Sequence, residues 1–360
     1  MGLLDRFRGG PPTDPATAER DAARREQTVQ NLQRGGLPVN AMERLREARA
    51  RQGTDQHFFT SNLSVNEFVL THDAGFAPLG QVMGSCVYHV GYQWNRASWS
   101  NASLWGGGSS YELRTLTEAY HNARVLTFSR LAQEAALLGA TGVLGVRFTR
   151  KQHEWGSDLL EFSAFGTAIR ERDRPAPARA TSSGEDLQNL FLSDLSGQDF
   201  WKLRQAGFRP VGVAAGNCTY YQIPTWQTQR ATGGAGLFFG TSWQNQELED
   251  YTQALYEARE LGMGRLSDEA RKLGGVGLVA VDMHVDAEPV EVEIGEHRHR
   301  TDMMYHFNVM GTVIAPAPAP AGPKAIPSWI SVPLRDPQPP ANESVELRPE
   351  VRSAEGRSHE

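Results

Sequence analysis

The sequence predicts an α+β protein: two tandem copies of a small, mostly antiparallel sheet, each packed on one long helix. The first observation behind this is a set of paired motifs kept in order along the chain. Leu63-Ser64, Ala74-Gly75-Phe76-x-Pro78-x-Gly80 and Gly84-x-Cys86-x-Tyr88 recur as Leu195-Ser196, Ala206-Gly207-Phe208-x-Pro210-x-Gly212 and Gly216-x-Cys218-x-Tyr220, all 132 positions on. After a slip of three residues, Thr117, Ala119, Ala123-Arg124 and Glu134-Ala135 match Thr252, Ala254, Ala258-Arg259 and Glu269-Ala270. Ten residues further out of step, Phe162, Gly166-Thr167 and Ile169 match Phe307, Gly311-Thr312 and Ile314. A fixed order of this kind is the mark of internal duplication. The second observation is that each half runs through the same succession of strand and helix signals.

In the first half, Phe68–His72 and Gly80–Gly84 read as short strands joined by the Ala-Gly-Phe-x-Pro turn. A polar stretch rich in tryptophan follows, from Tyr92 to Gly108. Ser109-Ser110-Tyr111-Glu112 has the spacing of a capping box and predicts the start of a long helix. Leu113, Leu116, Tyr120 and Ala123 recur at helical spacing and give that helix a buried face. Gly139 ends it, because a residue without a Cβ takes the left-handed cap. Gly142–Phe148 and Leu160–Ile169 then read as strands. The second half repeats the plan. Its helix contains Gly262 and Gly264, each costing about 1 kcal/mol relative to alanine, which predicts a kink or a two-part helix there.

The predicted organisation is a polar arm over residues 1–55, partly helical or disordered; a first repeat over 56–172; a linker over 173–188; a second repeat over 189–315; and a proline-rich disordered tail over 316–360. The arm is rich in Arg, Glu, Gln and Ala, with Leu32, Met42 and Leu45 as candidate anchors for a partner. The tail opens on alternating alanine and proline from Ala315, which denies the backbone its donors.

Composition removes several classes of function. A net charge of −6 gives no global attraction for nucleic acid. No apolar run reaches the roughly 18 residues that span a bilayer, and Met1–Arg8 turns polar too soon for a signal peptide. Gly2 does not signal myristoylation, since Arg6 stands where Ser or Thr is required. Two cysteines are too few for a disulfide framework, so the expected location is the reducing cytoplasm.

The order of Gly106-Gly107-Gly108-Ser109-x-Tyr111-Glu112, a long helix, Glu134-Ala135-x-x-Leu138-Gly139-Ala140-x-Gly142-Val143 and Ser163-Ala164-x-Gly166-Thr167-Ala168 resembles the YbjQ-like family, whose domain carries a heavy-metal-binding label. The likeness covers residues 60–170, and 190–315 more loosely. It implies modules that assemble as rings, commonly pentamers, through their sheets, with no established enzymatic activity. Two departures stand out. The family's Gly-Glu-Ala-Val becomes Gly84-Ser85-Cys86-Val87 and Gly216-Asn217-Cys218-Thr219, so the acidic residue is lost twice. The segment after that strand carries Trp94, Trp99 and Trp105, then Trp226 and Trp243 in the second half.

A divalent transition metal is the first chemistry to weigh. Asp282, His284 and Asp286 alternate on one strand face. His297 and His299 follow in the next hairpin, with His306 on the returning strand. Asp282, His284, His297, His299 and His306 are therefore the candidate ligands, a donor set that suits zinc, nickel or copper. The competing reading is a strand whose wet face is polar for solubility alone. Cys86 and Cys218 occupy matching positions, but without a Cys-x-x-Cys they read as small buried hydrophobes. There is no Gly-x-Ser-x-Gly elbow, Walker loop or dinucleotide fingerprint. The sequence therefore points to a non-enzymatic, cofactor-free, self-assembling scaffold or binding module. A homo-oligomer is expected, with a protein partner recruited through the arm or the tail. The alternative is a metal-binding or metal-sensing protein.

Overall fold

The computed structural model describes residues 15–56, 58–90, 108–152, 159–173, 190–232, 245–293 and 299–317. The linker beyond 173, the tail beyond 317, His297, and Trp94, Trp99, Trp105 and Trp243 lie outside them.

The arm forms two helices, α1 (Pro15–Gln33) and α2 (Val39–Ala50). Leu37 and Leu45 are buried in the same apolar cluster as Leu131 and Leu138 further along the chain. A short helix, α3 (Val65–Asp73), follows. The Ser64 hydroxyl accepts from Glu67 N, and the Glu67 carboxylate accepts from Ser64 N at 2.6 Å. This capping box makes Phe68–His72 helical and overturns the strand predicted there.

Next come β1 (Phe76–His89) and β2 (Ser109–Glu112), then the helix α4 (Arg114–Leu137). Ser109–Glu112 is thus a strand and not a helix cap; Leu113 precedes the helix with no side-chain cap. Gly139 ends the helix region at φ +75°, the left-handed conformation expected of it. β3 (Gly142–Gln152), β4 (Leu159–Glu171) and a two-residue β5 (Phe191–Leu192) complete one sheet in the order β1-β4-β3-β5. Its pairs are antiparallel except β3 with β5, which is parallel.

The chain continues through α5 (Gly197–Gln205), β6 (Phe208–Ile223), α6 (Trp226–Thr232), α7 (Glu249–Lys272), β7 (Gly277–Glu293) and β8 (His299–Pro316). The second sheet has the order β2-β6-β8-β7. Its leading strand is bulged at Pro210/Gly212, as β1 is at Pro78/Gly80. Ser196 caps α5 as Ser64 caps α3.

Helix α7 runs unbroken through its glycines, so the two-part helix among the expected forms does not occur. Gly262 is there for close packing: a Cβ would meet the Phe307 ring at 2.3 Å, and a Cβ on Gly216 would meet Gly262 O at 1.9 Å. Gly84 lies equally close under α4, its missing Cβ 2.1 Å from Thr127 O.

Burial distinguishes the two sheets. Along β1, Val82, Gly84 and Cys86 are buried, while Gln81, Met83, Ser85 and Val87 are exposed. Helix α4 covers one face and leaves the other wet. Along β6, nearly every residue from Val213 to Ile223 is buried. Cys218 and Tyr220 pack under α7, whereas Asn217, Thr219 and Tyr221 point the other way, toward α4 and β2. Around β6 the second sheet is therefore covered on both faces, whereas β7 at its far edge is largely exposed.

Candidate functional site

The chain concentrates its buried polar groups along the seam where α4 lies on the second sheet. Leu113, Thr117, Tyr120 and Arg124 form one stripe down α4 at helical spacing, and all four are buried. At its start, β2 adds to the edge of β6, pairing Tyr111 with Tyr221 and Glu112 with Tyr220. Leu113 N then donates to Thr219 O at 2.8 Å, and Thr219 N donates to Thr117 Oγ1 at 3.0 Å. Asn217 Nδ2 donates to Thr117 O at 2.8 Å. A helix and a strand edge are thus joined through backbone groups that would otherwise be buried without partners.

Charges close the seam. Arg124 donates to Glu269 of α7 at 3.1 Å, and Glu269 also accepts from Ala215 N. Arg265 pairs with Glu112 at 2.7 Å and donates to Asn217 O at 2.8 Å. Burial, then the Arg124 charge, hold His121 below its ordinary pKa. A cavity of about 670 Å³ opens between Arg114 and His121 on α4 and Arg265 and Lys272 on α7.

On the far side of α4, a cleft of about 410 Å³ is lined by Tyr120, Arg124, Arg150, Asp282, His284 and Asp286 among others. Arg150 of β3 donates to Asp286 of β7 and lies 5.2 Å from the Tyr120 ring centroid. His284 Nε2 meets Asp286 Oδ1 at 2.9 Å.

Of the five candidate metal ligands, Asp282 and His284 line this cleft. His306 is buried opposite Asp286 on β8, with Nδ1 3.2 Å from Thr219 Oγ1 and its ring 5.7 Å from that of Tyr120. His299 pairs in register with Glu293, its side chain outside the described residues, as is all of His297. Among the described residues no three His, Cys, Asp or Glu side chains converge. A guanidinium already occupies the Asp286 carboxylate, where a cation would compete with it. Of the five candidates, the three described side chains, Asp282, His284 and His306, do not by themselves gather at one point.

Nor do the cysteines offer a nucleophile. Both are free and buried. Burial, then the Glu112 carboxylate, push the Cys218 thiol up to about 12, and burial raises Cys86 as well. What the seam does chemically is hold surfaces together. The sequence places Tyr120 on the buried helix face and Arg124 and Glu269 among the repeated motifs without assigning them to a site, and Arg150 is not singled out at all. The signal available was the matched pairs Arg124/Arg259 and Glu134/Glu269, polar residues at repeated positions in otherwise apolar helix faces.

The YbjQ family model, described as "Putative heavy-metal-binding", matches residues 77–172. UPF0145 proteins of Vibrio campbellii and Archaeoglobus fulgidus are 42% and 41% identical over 59 and 61 residues, which is 16% and 17% of this chain and 55% of each relative. The chain thus spans about half the length of these two relatives. No solved structure matches it. The encapsulin nanocompartment protein Rv1762c of Mycobacterium tuberculosis is 40% identical over 225 residues, covering 62% of this chain and 76% of the relative. The chain therefore belongs to the family of that mycobacterial protein, and within it carries a YbjQ domain over residues 77–172.

Proposed function

We propose that this protein is a non-enzymatic, cytoplasmic, self-assembling scaffold made of two YbjQ-like units in tandem, residues 56–172 and 189–315. The arm, linker and tail (1–55, 173–188 and 316–360) flank and join them. The tandem reading is supported by the matched bulges at Pro78/Gly80 and Pro210/Gly212, the matched serine caps, and the paired glycines under each long helix. Assembly is supported by the name of the mycobacterial relative, a nanocompartment protein.

The observation that carries the reading is the seam itself. Its best-organised polar network joins one unit to the other and activates no reactive group. Such a network gives one arrangement of two surfaces, which is what a building block requires. Size-exclusion chromatography with light scattering over a range of concentrations tests the proposal. A species larger than a monomer that forms reversibly with concentration is expected. A monomer at every concentration overturns it.

A further inference from the structure

The cleft between α4, β3 and the second sheet has the construction of a binding site. Its floor is a grid fixed by strand register. One row runs Asn217, Asn308, His284 across β6, β8 and β7, and the next runs Ala215, Met310, Asp282. Rows two residues apart point to the same face, and neighbouring strands lie about 4.8 Å apart, so these side chains share one space. Tyr120 and Arg124 of α4 form one wall; Phe148 and Arg150 of β3 form another. Phe162 of β4 joins the walls, its ring centroid 5.8 Å from that of Tyr120 and 5.6 Å from that of Phe148.

The lining has its charges settled but not its hydrogen bonds. Glu269 holds Arg124, and Asp286 holds Arg150. Arg124 is only 5% exposed, yet its Nε–H meets no acceptor among the described residues, and neither does the buried Nη1 of Arg150. Asn217 and Asn308 each donate Nδ2 to a backbone carbonyl, while their Oδ1 atoms accept nothing among the described residues. The Asp282 carboxylate at the edge of the grid pairs with no cation among them. Buried donors and acceptors are ordinarily satisfied, so a group of unmet ones around one cleft calls for an explanation.

These facts select among ligands. A phosphate brings negative charge to guanidinium groups that are already neutralised, and the Asp282 carboxylate repels it. An ammonium ion answers Asp282 and leaves both arginine N–H groups unmet. A polyol sets hydroxyls against the rings of Tyr120, Phe148 and Phe162, where they find no partner. A planar heteroaromatic ring with both carbonyl acceptors and N–H donors meets every requirement. Its carbonyls accept from Arg124 and Arg150, its N–H edge donates to Asp282 and the asparagine Oδ1 atoms, and its apolar face lies among the aromatic side chains. The volume of about 410 Å³ falls in the range of small-molecule sites.

We propose that this cleft binds a nucleobase, free or as its unphosphorylated nucleoside, through Arg124, Arg150, Asn308 and Asp282. One chain supplies every lining residue, so binding does not depend on assembly. The bound ring also ties β3 to β7 beside the Arg150–Asp286 pair, which makes occupancy a stabiliser of the fold.

Calorimetric titration of the full chain tests this with the four common nucleosides, their free bases, their 5′-monophosphates, and glucose as a polyol. Saturable binding of at least one base or nucleoside is expected at one per chain, with the matching monophosphate no tighter. Asp282→Ala and Asn308→Ala, at an exposed and a half-buried position, should keep the native urea midpoint and weaken that binding roughly tenfold or more. Lys272→Ala, in the other cavity, should leave it unchanged. The proposal is overturned if no base or nucleoside binds at up to about 1 mM, if glucose binds in their place, or if a monophosphate binds tenfold more tightly than its nucleoside. Nucleoside binding that survives both cleft variants unchanged overturns it as well, because the ligand then lies elsewhere.

Discussion

Replacing Thr117 with valine keeps the shape of the side chain and removes one hydroxyl. That hydroxyl accepts from Thr219 N at 3.0 Å, and both residues are buried. The neighbouring bonds, Leu113 N to Thr219 O and Asn217 Nδ2 to Thr117 O, use backbone acceptors and survive the change. What is left is a buried N–H without a partner, which costs about 1–3 kcal/mol. For a folded unit of this size each kcal/mol moves Tm by about 2–4 °C, so the expected loss is about 2–12 °C. The matched substitution Thr252→Val is the control, because its hydroxyl makes no side-chain hydrogen bond among the described residues and is only half-buried. At low protein concentration it should stay within about 0.5 kcal/mol of the native chain. Urea unfolding at fixed concentration measures both, with the midpoint falling and the slope unchanged for Thr117→Val. Equal losses in the two variants, or no loss in the first, would refute the claim that this network locks α4 to the second sheet.

Three further outcomes are expected. Gly216→Ala and Gly84→Ala each drive a Cβ into helix backbone, at 1.9 Å and 2.1 Å, and should destabilise by about 1–3 kcal/mol or more, read as a lowered urea midpoint; native-like stability in either would mean the helix can lift freely. Cys218, with its thiol pushed up to about 12, and buried Cys86 should not react with an aromatic disulfide reagent at pH 8 until denaturant is added, and rapid native labelling would contradict their burial. Metal analysis of protein purified without a histidine tag should give well under one equivalent; stoichiometric metal lost in a His284→Ala/His306→Ala variant would establish the metal-binding alternative.

The duplicated order of motifs was legible because it rests on residues whose role is local and steric. Gly84 and Gly216 lie under a helix backbone, and Ser64 and Ser196 each cap a short helix. Errors arose where one pattern serves two structures. Phe68-Val69-Leu70 reads as strand by side-chain type, yet the Ser64–Glu67 capping box outweighs that preference. Ser109-x-x-Glu112 has capping-box spacing but is drawn into strand by the β6 edge, where the Tyr111 ring lies tilted 5.7 Å from that of Tyr221. Gly262 reads as a helix breaker, while in the fold it makes room for the Phe307 ring. In the last two cases the deciding partner lies more than forty residues away, and no local signal announces it. The seam was hidden for the same reason: Arg124 and Glu269 are ordinary helix residues until the two helices are brought together.

The unequal burial of matched residues bears on what the chain is for. A helix that needs one covered face ordinarily carries charge on the other. Helix α7 instead exposes Tyr256 and Leu261 outside its own core stripe of Ala254, Ala258 and Leu266. Beside it, β7 exposes Met283 and Val285, whose counterparts on β3, Phe148 and Arg150, line the cleft at the seam. A chain that functioned alone would gain solubility from polar side chains at all of these places, at no cost to its interior. Their apolar character has a physical use only if the surface is covered.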